Sequence, residues 1–199
     1  MKVLIACEFS GVVREAFRAR GHDAWSCDLL PAEDDSPHHM RCDVAEILHH
    51  GWDLMVAHPP CTDLAVSGAR YFKAKGWARQ EAALAFVRVL LDAPIERICV
   101  ENPVSIVSTW IRKPDQIIHP HQFGHDAAKT TCLWLKGLPR LIVDPALAVP
   151  PRITDKGARR WANQTDSDGS NRLGPSPDRW KLRAATYQGI ANAFALNWG

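Results

Sequence analysis

Asp53-Leu54-Met55-Val56-Ala57-His58-Pro59-Pro60-Cys61 is the stretch that decides how this chain folds and what it can do. The apolar run at 53–57 predicts a buried strand. The two prolines end it, because proline cannot donate a ladder hydrogen bond and its ring fixes φ. The thiol of Cys61 is therefore expected just beyond the carboxyl end of a strand. In open α/β sheets, ligands bind at that edge.

A second strand end carries an acid. The apolar run Ile98-Cys99-Val100 predicts another buried strand, and Glu101-Asn102-Pro103 follows it directly. Parallel strands bring their carboxyl ends to one edge of the sheet, so a nucleophile, Cys61, and an acid, Glu101, are expected to face one cleft.

The remainder of the chain alternates between strand and helix patterns. Strands are predicted at Val3–Ala6 and Ala24–Cys27, with a helix between them that ends near Arg20. A third strand is predicted at Met40–Asp43, and Asp43 is expected to cap a helix that runs to His50. Helices at 77–92 and 186–198 and a strand at 131–135 complete the pattern. This order predicts a single α/β domain over residues 1–199, with a mostly parallel sheet and helices on both faces.

The segment at about 137–183 lacks this periodicity. It is rich in Pro, Gly, Asp, Ser and Arg, and it contains Trp161 and Trp180. A structureless loop of this length is unusual in a compact domain, so we expect part of the segment to become ordered on a partner. We refer to residues 137–183 as the basic excursion.

Composition is that of an ordinary globular protein, with 46% hydrophobic and 23% charged residues in a chain of 199. The first apolar run is too short for a signal peptide, and no stretch approaches the ~18 apolar residues of a membrane span. A cytoplasmic protein without a membrane partner is predicted. The six cysteines form no Cys-x-x-Cys pair, and His119, His121 and His125 fit no standard zinc spacing, so no metal is predicted.

Charge is distributed unevenly along the chain. The net charge is +2, but residues 1–100 carry 11 basic and 14 acidic side chains, whereas residues 101–199 carry 13 basic and 8 acidic ones. The basic second half is suited to phosphate contacts, with a solvated basic surface as the alternative. The candidate phosphate contacts are Arg152, Lys156, Arg159, Arg160, Arg172, Arg179, Lys181 and Arg183.

Taken in order, these motifs resemble those of the DNA cytosine-5 methyltransferases, in a short phage-type version without a large target-recognition domain. Pro59-Pro60-Cys61 and Glu101-Asn102-Pro103 are similar to the nucleophile loop and the Glu-Asn motif of that family. The resemblance covers roughly residues 3–135, with a fainter match at 186–198. It implies a Rossmann-like class I methyltransferase fold, S-adenosylmethionine as the methyl donor and DNA as the preferred partner, in the host cytoplasm if the chain is phage-encoded.

The resemblance also assigns a cofactor site. Phe9-Ser10-Gly11 is similar to the family's Phe-x-Gly loop, which wraps the methionine end of S-adenosylmethionine. Asp28 then corresponds to the acid that binds the ribose hydroxyls, and Asp43 to the aspartate that meets the adenine amino group. Pro59, at the start of the nucleophile loop, completes the implied cofactor contacts.

In the implied reaction, Cys61 adds to carbon 6 of the cytosine and Glu101 hydrogen-bonds the ring, which stabilises the adduct. Free cysteine titrates near about 8.5, so His58 or Lys129 is expected to supply electropositive help. The remaining candidate substrate contacts are Asn102 in the Glu-Asn motif, Lys129, and Ser67 and Arg70 in the loop after Cys61. Tyr71 and Phe72 in the same loop could fill the space that a flipped base vacates.

The chain departs from the family in the parts that grip and select a target. The usual Gln-x-Arg-x-Arg segment is absent, and the comparable place has Asp126-Ala127-Ala128-Lys129-Thr130-Thr131. No large target-recognition domain fits between residues 136 and 185, so a protein partner could supply target selection.

Three alternatives stay open. The first is the same chemistry on RNA. The second is an amino-methyltransferase, which His58 before the prolines and Cys61 after them disfavour. The third is a cofactor-binding or nucleic-acid-binding module that has lost catalysis.

Overall fold

The computed structural model describes residues 1–177 and 179–199. Its main sheet has seven strands in the spatial order β3-β2-β1-β4-β5-β7-β6. The strands are β1 (Lys2–Ala6), β2 (Asp23–Asp28), β3 (His39–Arg41), β4 (Leu54–Ala57), β5 (Arg97–Pro103), β6 (Gln116–Ile118) and β7 (Thr131–Lys136). β7 runs antiparallel to both of its neighbours, and the other neighbouring pairs are parallel.

The helices lie between and after these strands. They are α1 (Val12–Arg18), α2 (Phe72–Lys75), α3 (Trp77–Leu91), α4 (Val107–Trp110), α5 (Arg179–Ala184) and α6 (Gln188–Trp198). Short 3-10 segments occur at Val44–Glu46, Val66–Tyr71, Pro120–Phe123 and Pro145–Leu147. β8 (Arg152–Ile153) and β9 (Arg159–Arg160) form a separate antiparallel hairpin.

Alternation along the buried strands divides the core between the two faces of the sheet. In β4, Met55 and Ala57 pack on the face covered by α3, whereas Leu54 and Val56 pack on the face covered by α1 and α6. All four side chains are fully buried. A strand that is buried on both faces has a continuous apolar sequence, which is why residues 53–57 predict this strand so clearly.

This topology confirms the predicted fold. Helices cover both faces of a mostly parallel sheet, and one antiparallel strand is inserted between β5 and β6. The arrangement is the Rossmann-like fold of class I methyltransferases. Within the part of the chain that the structure describes, no helix combines the length and apolar character needed to cross a bilayer.

One local prediction was wrong and one strand was missed. Asp43 does cap a helical segment, since its carboxylate accepts a hydrogen bond from the backbone N–H of Ala45 at 2.9 Å, but that segment is a 3-10 turn over Val44–Glu46 and does not reach His50. Gly51 follows with a positive φ of 72°, which lets the chain turn back into β4. The edge strand β6 was not predicted at all.

The basic excursion is ordered over more of its length than its composition indicates. It contains a 3-10 turn, the β8–β9 hairpin and α5. Its Asn163 side chain forms two hydrogen bonds of 2.9 Å with the backbone of Ala128, and the Ala162 N–H donates to Asp126 at 2.9 Å. The excursion is therefore attached to residues 126–128, immediately before Lys129.

Candidate active site

The candidate site lies at the edge of the sheet where the parallel strands β1, β4 and β5 end. Beyond β4, the N–H of His58 still donates to the Ala6 carbonyl at 2.9 Å, so His58 extends the strand before the prolines end it. Cys61 then lies exposed at the surface. Glu101 is on β5, the neighbouring strand, and its side chain is only 16% exposed.

Asn102 fastens the nucleophile loop to β5. Its side-chain amide donates to the carbonyl of Pro59 at 2.9 Å, and both residues are buried. The prolines have no N–H to pair with the next strand, so this side-chain bond replaces a ladder bond. Asn102 thus sets the position of the loop that carries Cys61. Pro59, predicted as a cofactor contact, is the residue that Asn102 holds.

The loop after Cys61 is tied to the loop after β5. The Ala65 N–H bonds back to the Cys61 carbonyl at 2.8 Å, and the Val66 N–H donates to the Val104 carbonyl at 3.0 Å. The predicted substrate contacts Ser67 and Arg70 follow in the 3-10 segment, and both are exposed. Tyr71 is half exposed, and the Arg70 guanidinium lies 4.7 Å from the centre of its ring.

Glu101 is held in its ionised form. Nδ1 of His58 lies 3.0 Å from Oε2 of Glu101. Burial raises the pKa of Glu101, but the hydrogen bond from His58 and the positive charge of Lys129 outweigh that effect, so the pKa lies below its ordinary value.

The Cys61 thiol is shifted in the opposite direction. The protein atoms around its sulfur raise its pKa, the Glu101 carboxylate raises it further, and the charges of Lys129 and Arg183 lower it in part. Glu101 and Lys129 are thus within electrostatic reach of the Cys61 sulfur.

Lys129 reaches this site from the amino end of β7. Its ammonium donates to the carbonyl of Arg183 on α5 at 3.0 Å. A narrow cleft runs between Glu101, Lys129, Thr131 and Tyr187, so the acid and the cation share one opening.

The predicted cofactor acids lie on the other side of β1. Cys7, directly after β1, has a positive φ of 59°. Burial and the nearby charges of Asp28 and Asp43 raise the pKa of its thiol to about 12. Both carboxylates therefore lie near the end of β1. Each uses one oxygen to accept a local backbone N–H at 2.9 Å.

The predicted cofactor loop leads from β1 into α1. Gly11 precedes α1 with a φ of 75°, and a Cβ on it would lie 2.9 Å from the Asp34 carboxylate. Ser10 bonds weakly to Glu8, at 3.4 Å. The ring of Phe9 packs against Trp180 of α5, with centroids 5.8 Å apart.

Sequence reasoning missed two elements of this site. The first is Glu8, which is buried and accepts the N–H groups of Val13 at 2.7 Å and Arg14 at 3.2 Å at the start of α1. An acid placed before the first turn of a predicted helix was the available signal. The second is α5. Its Trp180 packs against Phe9 of the cofactor loop, and its Arg183 carbonyl accepts a hydrogen bond from Lys129.

The histidines and Trp161 have structural contacts. His125 accepts the backbone N–H of Gly189 at 2.8 Å, and the ring of His121 stacks on Trp161 with centroids 4.1 Å apart. Among residues 1–177 and 179–199, no group of three or more His, Cys, Asp or Glu side chains is arranged to hold a metal ion.

Comparisons with known proteins give a distant structural likeness and no sequence match. No protein-family model matches it, and no curated protein sequence matches it. A solved Escherichia coli structure, provisionally assigned as a DNA modification methyltransferase encoded within a prophage, has a TM-score of 0.47 and 15% identity, over 78% of this chain and 49% of that one. The chain thus spans about half the length of that protein. The fold assignment depends on the strand order and not on this distant likeness.

Proposed function

We propose that this chain is an S-adenosylmethionine-dependent methyltransferase that modifies carbon 5 of cytosine in DNA. The single observation that carries the proposal is the placement of an exposed thiol, Cys61, within electrostatic reach of the largely buried carboxylate of Glu101, at the edge of the sheet where α/β folds bind ligands. Carbon 5 of cytosine is a poor nucleophile, and chemistry at this position requires such a pair.

Cys61 is the nucleophile in this proposal. Its thiolate adds to carbon 6 of the ring, which makes carbon 5 electron-rich. Lys129 and Arg183 favour the thiolate because their positive charges lower the pKa of Cys61, against the effects of the protein atoms around the sulfur and of Glu101. After methyl transfer, loss of the proton from carbon 5 lets Cys61 leave and restores the aromatic ring.

Glu101 binds the edge of the ring that gains negative charge. As the sulfur adds to carbon 6, electrons move toward the ring nitrogen at position 3. A hydrogen bond at that nitrogen stabilises the adduct. Asn102 keeps Cys61 and Glu101 in register, because its amide ties the nucleophile loop to the strand that carries Glu101.

S-adenosylmethionine, when bound, supplies an electrophilic methyl group to carbon 5. The residues present fit such a molecule. Asp28 and Asp43 each use one carboxylate oxygen to accept a local backbone N–H. The second oxygen of Asp28 can accept from the ribose hydroxyls, and that of Asp43 from the adenine amino group. Gly11 lets the cofactor loop pack closely at the start of α1, where a Cβ would collide with Arg14 and lie 2.9 Å from Asp34.

DNA fits the exposed groups around the site. A cytosine in a duplex must leave the base stack to reach Cys61 and Glu101. Ser67, Arg70 and the half-exposed ring of Tyr71 follow the nucleophile loop, where a flipped base would enter. Lys156 and Arg159 add exposed positive charge on the basic excursion.

A covalent trap tests the reaction. Duplex DNA that contains 5-fluorocytosine is incubated with the protein and S-adenosylmethionine, and a complex that survives denaturation is expected, because fluorine at carbon 5 blocks the final elimination. Cys61→Ala should abolish the complex. An adduct in Cys61→Ala, or none with the natural protein, would refute the mechanism.

The nature of the polymer needs a separate measurement. Unlabelled DNA is expected to suppress adduct formation more strongly than an RNA of the same sequence. Lys156→Ala and Arg159→Ala should weaken DNA binding and reduce its salt dependence by about one phosphate contact each. Stronger competition by RNA would assign the same chemistry to RNA.

A further inference from the structure

His58 is the residue closest to Glu101 that the proposed reaction leaves without a role. Its side chain is 12% exposed, and its Nδ1 lies 3.0 Å from Oε2 of Glu101. The other ring nitrogen, Nε2, is buried and has no hydrogen-bond partner among the described residues. Its backbone is fixed to β1 through the Ala6 carbonyl. The imidazole is therefore held rigidly against the acid.

Two further charged groups, Glu8 and Lys129, act on this pair. Glu101 faces His58 from β5, Glu8 faces it from the turn after β1, and Lys129 faces Glu101 from β7. The charge of His58 lowers the pKa of Glu101, and it offsets part of the increase that burial causes in the pKa of Glu8. Both carboxyl groups are thus within electrostatic reach of the imidazole.

The proposed reaction needs a proton that Glu101 does not itself hold. The ring nitrogen at position 3 of neutral cytosine carries a lone pair and no hydrogen. An ionised carboxylate facing it can only repel it, whereas a protonated carboxyl group can donate. Because the pKa of Glu101 is lowered, this carboxyl group is ionised near neutral pH. The proton must come from a neighbour.

We propose that His58 and Glu101 share one proton, which His58 holds in the free protein and Glu101 delivers to the cytosine ring. The inference rests on the proposed function. As the sulfur of Cys61 bonds to carbon 6, the electron pair of the carbon 5–carbon 6 double bond moves through carbon 4 to nitrogen 3. Nitrogen 3 takes the proton from Glu101, and Glu101 takes one from Nδ1 of His58. Elimination of Cys61 returns the proton along the same path, so none is consumed.

A conservative substitution separates proton storage from simple positioning. The side-chain amide nitrogen of Asn stands at the same distance along the side chain as Nδ1 of His, so His58→Asn can keep the hydrogen bond to Glu101 but cannot titrate. His58→Ala removes the bond as well. In His58→Asn the proton must reside on Glu101 itself, which requires a lower pH.

The pH dependence of adduct formation is the test, measured with 5-fluorocytosine DNA in the natural protein, His58→Asn, Glu101→Gln and the double variant. His58→Asn should form the adduct about 10²-fold or more slowly at neutral pH, a loss typical of a removed general acid. The fall of its rate with rising pH should begin at a lower pH than in the natural protein. Glu101→Gln carries a permanent donor, so the double variant should be no slower than Glu101→Gln alone. An unshifted profile in His58→Asn, or an equal loss at every pH, would overturn the inference.

A measurement on the free protein gives an independent readout. The 15N chemical shifts of the His58 ring are followed across pH, and they should be those of an imidazolium over the range in which the natural protein forms the adduct. A neutral ring throughout that range would contradict the proposal. Failure of the proposed function looks different, because the natural protein would then form no adduct at any pH. An adduct with the natural protein and an unchanged His58→Asn profile would refute only the role of His58.

Discussion

Gly11→Ala, compared with Gly21→Ala, tests how tightly the cofactor loop is built. Both glycines have a left-handed backbone, with φ of 75° and 84°. They differ in their surroundings. A Cβ on Gly21 would meet nothing within 4 Å, whereas a Cβ on Gly11 would collide with the guanidinium of Arg14 and lie 2.9 Å from Asp34.

The size of the effect follows from the state of Arg14. This side chain is fully buried, donates to Ser26 at 2.7 Å and to Glu15 at 2.8 Å, and pairs with Asp34. It cannot move aside without leaving its buried guanidinium without partners, which costs about 3–5 kcal/mol. The left-handed backbone adds about 1–2 kcal/mol for alanine at either position. We therefore expect a loss of about 1–2 kcal/mol for Gly21→Ala and about 4–7 kcal/mol for Gly11→Ala.

Urea unfolding followed by circular dichroism measures both free energies of unfolding. In a chain of this size, each kcal/mol corresponds to about 2–4 °C in Tm, so thermal scans provide a second readout. If Gly11→Ala loses no more stability than Gly21→Ala, then Arg14 is free to move and the packing described here is wrong. An intact Gly11→Ala that still binds S-adenosylmethionine would also remove Gly11 from the cofactor site.

Three further predictions concern the site and its support. Asn102→Leu removes the hydrogen bond to the Pro59 carbonyl, so urea unfolding should show a free energy of unfolding lower by about 1–3 kcal/mol. Adduct formation by Cys61 should also slow. An unchanged stability and an unchanged rate would contradict the role of Asn102 in holding the nucleophile loop. Lys129→Gln removes a charge that lowers the pKa of Cys61, so this pKa should rise further. Iodoacetamide should then alkylate the Cys61 thiol about tenfold more slowly at pH 7. Lys156→Gln on the basic excursion is the control and should react like the natural protein. Gly189→Ala places a methyl group against the Phe123 carbonyl and 3.0 Å from His125, so the free energy of unfolding should fall by about 1–3 kcal/mol. Substitution of the exposed neighbour, Gln188→Ala, should change it little. Equal effects would show that α6 can shift away.

The elements that sequence predicted well are those whose burial is visible along the chain. The strand predicted at 53–57 is β4 (Leu54–Ala57), and the helix predicted at 77–92 is α3 (Trp77–Leu91). The strand is a continuous apolar run that prolines end, and the helix is a pattern of 15 residues with apolar positions at helical spacing. The strand β6 was missed because it has only three residues and exists through its pairing with β7. A pattern of three residues carries too little periodicity to predict a strand.

The candidate site was predictable to the extent that its residues lie at predicted strand ends. Cys61 and Glu101 were expected in one cleft because parallel strands end at one edge, and the structure places Glu101 within electrostatic reach of the Cys61 thiol. Glu8 was missed although it precedes the first turn of a predicted helix, because a single acid in a turn is a weak signal. Its role depends on the N–H groups of α1 that it accepts.

By itself, the sequence determined the kind of sheet and the residues at its ends, because long apolar runs and prolines restrict the backbone locally. Only the tertiary structure decided which distant groups meet. β7 runs antiparallel beside β5, with Thr131 opposite Pro103, so the beginning of β7 lies at the edge where β5 ends. This reversal brings Lys129 to Glu101 and Cys61, across 28 and 68 positions of sequence. The site therefore depends on the direction and register of β7, which are set by packing across the whole sheet and cannot be read from the residues near Cys61.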